Sequence, residues 1–120
     1  MIKSIVLFLI YLQRKIEIVK IDVEAGEWPS FAAMLEDGVF KDIKQVITEL
    51  HTWVDLPPWT IFHRNERDYR QHLNVLRGMY EEGFRIFFMR RFDAKCCMFE
   101  DHMGVERTGC NEVHFMKVEK

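Results

Sequence analysis

Two short stretches hold side chains that could do chemistry together: Asp22 and Glu24 in one, Glu49 and His51 in the other. A carboxylate just beyond a strand can orient an acceptor group or take its proton. Histidine is the side chain best suited to act as a base near neutral pH. The members of each pair are two residues apart, so in an extended chain they project to the same side. Oxygen and imidazole donors of this kind could also hold a divalent metal, but the spacing assigns none. The plainer reading makes Asp22 and Glu24 helix caps or solvated turn residues, and Glu49 and His51 edge residues bonded to loop backbone. Glu27 reads as a first-turn helix charge favoured by the helix dipole.

Positioning these groups requires a strand before each pair. Residues 16–21 carry apolar side chains at 16, 18, 19 and 21, as a buried strand does. Gly26 would permit a sharp exit, and Pro29 fits the first turn of a helix running to Asp37, with Phe31, Met34 and Leu35 on one face and Gly38 as its stop. Residues 44–51 read as a second strand, with Val46, Ile47 and Leu50 apolar. Strand, helix and strand at this spacing form a βαβ unit with parallel strands and a right-handed crossover. Both pairs then lie at the carboxyl edge of the sheet, where open α/β sheets bind their ligands.

The segment 52–64 reads as a long loop in which Trp53, Trp59 and Phe62 would wall a substrate site or anchor the loop. Asn65 can cap a helix with Tyr69, Leu73, Leu76 and Tyr80 at helical spacing, ended by Gly83. Residues 84–89 predict a strand buried on both faces, 90–109 a polar loop, and 112–118 a strand closing an antiparallel hairpin at the sheet edge.

The stretch Lys20-Ile-Asp22-Val-Glu24-Ala-Gly26-Glu27-Trp28 resembles the K-I-D-x-E-G-A-E-W signature of FkbM-like methyltransferases, with Ala25 and Gly26 in swapped order. It is most similar to the animal methyltransferase-like branch that carries the tryptophan. Val46-Ile-Thr-Glu49-Leu-His51 is similar to that branch's strand ending in E-x-H, and the likeness continues through Glu82-Gly83-Phe84-Arg85-Ile86-Phe87 and Cys110-Asn-Glu-Val-His-Phe. The resemblance implies the C-terminal half of a Rossmann-like, S-adenosylmethionine-dependent methyltransferase fold over residues 14–120, preceded by an apolar segment at 1–13. It implies that Asp22 and Glu24 orient or activate a small-molecule, glycan or protein acceptor, supported by Glu49 and His51. Enzymes of this kind seat the cofactor on an earlier strand and a glycine-rich turn. Residues 1–15 contain no glycine, so S-adenosylmethionine is expected to bind this chain weakly or not at all.

At 120 residues the chain makes one domain at most, and 48% hydrophobic with 30% charged residues excludes a disordered class. With a net charge of −2, the chain carries no overall basic field that would invite nucleic acid. The apolar run at 5–12 is far shorter than the roughly 20 residues a spanning helix needs. As a signal or anchor it would send the protein to the secretory pathway; otherwise it is a buried helix or strand. Cys96, Cys97, His102, Cys110 and His114 lack the spacing of a structural zinc site, and a disulfide from Cys96 or Cys97 to Cys110 fits a secreted protein better. Two other functions compete with methyl transfer. One is an inactive remnant that binds a partner, or itself, through an uncovered sheet edge. The other is a small metal-dependent hydrolytic domain using the same acids.

Overall fold

A computed structural model describes residues 15–54, 61–62 and 65–119. The apolar run at 5–12, Trp59 and the side chain of Phe62 lie outside the described residues. The strands are β1 (Ile18–Ile21), β2 (Gln45–His51), β3 (Trp53–Val54), β4 (Ile61–Phe62), β5 (Phe84–Arg91), β6 (Met98–Glu100), β7 (Glu106–Thr108) and β8 (Cys110–Lys117). The helices are α1 (Glu27–Glu36) and α2 (Glu66–Glu81), with short 3-10 turns at Val39–Lys41 and Lys95–Cys97. No helix among the described residues is long and apolar enough to cross a membrane.

The main sheet has the order β1-β2-β8-β5. β1 pairs with β2 in parallel, Ile18 opposite Gln45, as the βαβ spacing requires. β8 is antiparallel to both β2 and β5, so β1, β2 and β5 run one way and β8 runs the other way between β2 and β5. The carboxyl ends of β1, β2 and β5 therefore share one edge.

Sequence alternation builds the core on one face of this sheet. On β2, Val46, Thr48 and Leu50 are buried while Gln45, Ile47 and Glu49 are half-buried. On α1, Trp28, Phe31 and Met34 recur every three residues and face inward. Phe31 and Phe84 both pack against Phe40, whose ring meets Phe84 edge-on at 5.3 Å. All three rings are buried. Asn65 caps α2 by accepting the Asp68 amide at 2.9 Å, the interaction its position predicts and one that contributes about 1 kcal/mol.

Five expectations are corrected. The buried stripe of α2 is His72, Val75 and Met79, whereas Tyr69, Leu73 and Tyr80 are exposed; the helix is turned so that His72 stacks on Trp28 of α1. β5 is an edge strand, and the core reaches only Phe84; Ile86 to Met89 are exposed. The last strand does not close a simple edge hairpin, because β8 enters the sheet interior. The segment between β5 and β8 is more than a polar loop: it contains the β6–β7 hairpin, whose turn is organised by Asp101. That carboxylate accepts from the Met103 and Val105 amides and from Arg107 Nε, and these contacts hold its pKa below the ordinary range. The stretch read as a loop after β2 contains β3 and β4, which pair antiparallel.

β3 follows β2 directly and is seated by Gly109. The Gly109 carbonyl accepts the Thr52 amide at 2.7 Å. A Cβ at Gly109 would lie 2.3 Å from Trp53 Cβ and 2.5 Å from the Trp53 carbonyl oxygen, and that backbone cannot move without pulling on β2. Gly109→Ala is therefore expected to destabilise the fold by about 1–3 kcal/mol, as overpacking does. A urea midpoint equal to that of the natural chain would show that β3 is not held against Gly109.

Candidate active site at the carboxyl edge of the sheet

The chain leaves β1 at Asp22 and turns into α1 within four residues, with the Gly26 amide donating to the Val23 carbonyl at 3.0 Å. The left-handed conformations in this turn belong to Glu24 (φ 49°) and Ala25 (φ 69°). Gly26, expected to supply the sharp exit, is already right-handed at φ −67°. Its lack of a side chain matters for a different reason: a Cβ there would lie 3.0 Å from both the Val23 carbonyl oxygen and Val23 Cγ2. Position 25 is where the resembled signature has its glycine, and left-handed backbone is where glycine avoids strain.

The turn delivers Glu27 into the interior. Glu27 is 0% exposed, and its Oε1 accepts the Val23 amide at 2.7 Å and lies 3.1 Å from His51 Nδ1. Glu27 is the first-turn acid expected from the sequence, and the structure adds that it is buried. The neighbouring Trp28 donates its indole N–H to the His51 carbonyl at 2.8 Å and stacks on His72 at 4.0 Å. The first turn of α1 thus grips the end of β2 twice, by ring and by backbone.

With Nδ1 held by Glu27, the other ring nitrogen of His51 faces the edge. Its Nε2 lies 3.3 Å from Glu49 Oε1 and 3.5 Å from Glu24 Oε2. One ligating atom each from Asp22, Glu24 and His51 falls within 4.8 Å of the others. The four residues singled out by spacing, Asp22, Glu24, Glu49 and His51, are therefore brought together, and Glu27 is the fifth member that spacing missed. Its signal was present as the third acid of D-x-E-x-x-E.

The electrostatics follow from this geometry. Burial of His51 opposes its charged form, but the Glu27 hydrogen bond and charge, with Glu24 and Glu49, outweigh it and raise the pKa. Glu49 is also raised, by burial first and by the charges of Asp22 and Glu24, against the pull of His51. The surrounding carboxylates thus stabilise the charged form of the ring.

The aromatic wall is resolved in part: Trp53 packs on Phe99 at 5.1 Å and so anchors the β6–β7 hairpin. Cys97 and Cys110 form a disulfide and Cys96 remains a thiol, so the cysteines offer no zinc site. Arg90 pairs with Glu112 at 2.9 Å and Arg91 with Asp93 at 3.1 Å, with both arginines on the surface. No family model, curated protein or solved structure matches this chain.

Two expected outcomes test this geometry. Ala25→Gly should leave stability within about 1 kcal/mol of the natural chain, because relief of left-handed strain offsets lost rigidity. Gly26→Ala should cost about 1–3 kcal/mol. Equal losses in thermal melts of the two variants would contradict the turn. The second outcome concerns pH. Histidine in the unfolded chain titrates near about 6.5. The stabilisation from the raised His51 is complete below that value and is lost as pH rises through the higher folded pKa. In metal-free buffer the urea midpoint should fall between about pH 6 and 9, and the fall should flatten in Glu27→Gln. An unchanged slope in that variant would remove Glu27 as the cause.

Proposed function

We propose that this edge is the acceptor side of a methyl-transfer site that uses S-adenosylmethionine, of the kind the 20–28 stretch resembles. The observation that carries the reading is the convergence of Asp22, Glu24, Glu49 and His51 at the carboxyl ends of two parallel strands. Asp22 is exposed and Glu24 lies 39% open, so both can meet an incoming molecule. His51 is 2% exposed and cannot. Its role is support: it holds Glu24 and Glu49 while Glu27 holds it.

The residues at this edge fit the charged part of the cofactor. S-adenosylmethionine carries an ammonium and a sulfonium, and Asp22 and Glu24 present carboxylates suited to both. When bound, it supplies an electrophilic methyl group. Asp22 or Glu24 would orient the acceptor heteroatom and hold its proton as that atom becomes more acidic. Attack on a sulfonium methyl depends chiefly on alignment, and a well-aligned pair can draw on several kcal/mol of prepaid orientation. The strand-to-helix turn at 22–26 carries acids and no glycine-rich cradle, so the nucleoside portion gains little from this edge.

The experiment is calorimetric titration of the folded chain with S-adenosylmethionine and with S-adenosylhomocysteine, which lacks the sulfonium charge. Weak binding, well short of micromolar, is expected, with the sulfonium form preferred several-fold and the preference lost in Asp22→Asn. No saturable binding, or equal binding of the two compounds, would overturn the reading.

A further inference from the structure

Around one histidine this edge gathers more negative charge than a single proton can balance. Asp22, Glu24, Glu27 and Glu49 all approach the His51 ring region, and Glu27 is wholly buried. Within that buried carboxylate, Oε1 is occupied by the Val23 amide and His51, and Oε2 has no hydrogen-bond partner among the described residues, so the negative charge behind the ring is poorly compensated.

We propose that the edge is a divalent-cation site with Asp22, Glu24 and His51 Nε2 as ligands and Glu49 beside them as a fourth donor. Three observations carry the assignment. First, the ring is oriented as metal-bound histidines are. A ligating histidine almost always gives its other N–H to a carboxylate or carbonyl, and here Glu27 takes Nδ1 at 3.1 Å in a buried setting. That bond fixes the proton on Nδ1 and leaves the Nε2 lone pair pointing out. Secondly, Nε2 points at acceptors. Two carboxylate oxygens lie 3.3 and 3.5 Å away, an arrangement that calls for a positive charge between them, either a proton on Nε2 or a cation in its place.

Thirdly, the spacings suit a metal. Bonds of about 2.1–2.4 Å place neighbouring ligands about 3.0–3.4 Å apart and opposite ones about 4.2–4.8 Å apart. The Asp22, Glu24 and His51 atoms fall within 4.8 Å of one another; the 3.3 Å contact of Nε2 with Glu49 lies in the shorter range, and the 3.5 Å contact with Glu24 lies just above it. Carboxylates with one imidazole suit manganese or zinc better than copper or an iron–sulfur cluster.

A proton on Nε2 and a metal there are alternative ways of neutralising the same cluster, so binding would release that proton to solvent. The inference goes beyond the methyl-transfer reading and needs no methyl donor. With an acceptor present, the metal would polarise its oxygen at the place where Asp22 and Glu24 already meet it.

The test is titration of chelator-stripped full chain with Mn²⁺, followed by loss of the free-ion electron paramagnetic resonance signal. One ion per chain is expected. Affinity should fall at least tenfold in Asp22→Asn and in Glu24→Gln, and should stay unchanged in Glu66→Gln, which removes an exposed acid elsewhere. Asp22 is exposed, so its variant should fold as the natural chain does, and circular dichroism checks this. No binding by the folded natural chain would overturn the site, as would equal affinity in all four proteins. Because no methyl donor is present, failure here leaves the calorimetric test of methyl transfer intact, and the reverse also holds.

Discussion

The arrangement rests on a carboxylate inside a protein. Glu27 sits at 0% exposure at the first turn of α1, and its position is tolerable only because a backbone amide and a histidine ring meet it there. Buried ion pairs are a poor source of net stability, because desolvation consumes most of their attraction, yet breaking one costs about 3–5 kcal/mol. The pair therefore acts as a register device. β2 must end with His51 under Glu27, α1 must start where the Val23 amide reaches the same oxygen, and β1 must stop at Asp22 for the turn to fit. The positions of Asp22, Glu24 and Glu49 follow from those requirements.

Much of this was legible before the coordinates. Two strands of apolar residues separated by one helix dictate a parallel pair, and parity along β2 places Glu49 with His51; Asp22 and Glu24 lie past β1, where Glu24 is left-handed at φ 49°, so the turn and not strand parity brings that pair to the edge. Asn65 announced its helix because a short amide side chain before a polar-led run has few other uses. Glu27 reads correctly as a first-turn acid, but nothing in the local sequence marks it as buried. Its burial depends on a long-range partner 24 residues away, which local pattern cannot reveal.

The errors share that origin. Residues 84–89 are apolar at all positions but Arg85, which pattern reads as an interior strand; tertiary placement makes β5 an edge. α2 carries two competing apolar stripes, and the ring of Trp28 selects the one containing His72. The β6–β7 hairpin has only three residues per strand, so its signal is weak; the Cys97–Cys110 bridge, the Asp101 turn and the Trp53–Phe99 contact hold it.

The indole of Trp28 is bonded to the His51 carbonyl, lies against the His72 ring, and belongs to the same helical turn that buries Glu27. An indole so placed is an optical reporter built into the edge. Charge gained or lost on His51 changes the field across the chromophore, and any rotation of α1 that loosens Glu27 also breaks the indole hydrogen bond. Emission from this tryptophan therefore joins two events that are separate elsewhere in the molecule: neutralisation of the acidic edge and the seating of the helix that carries it.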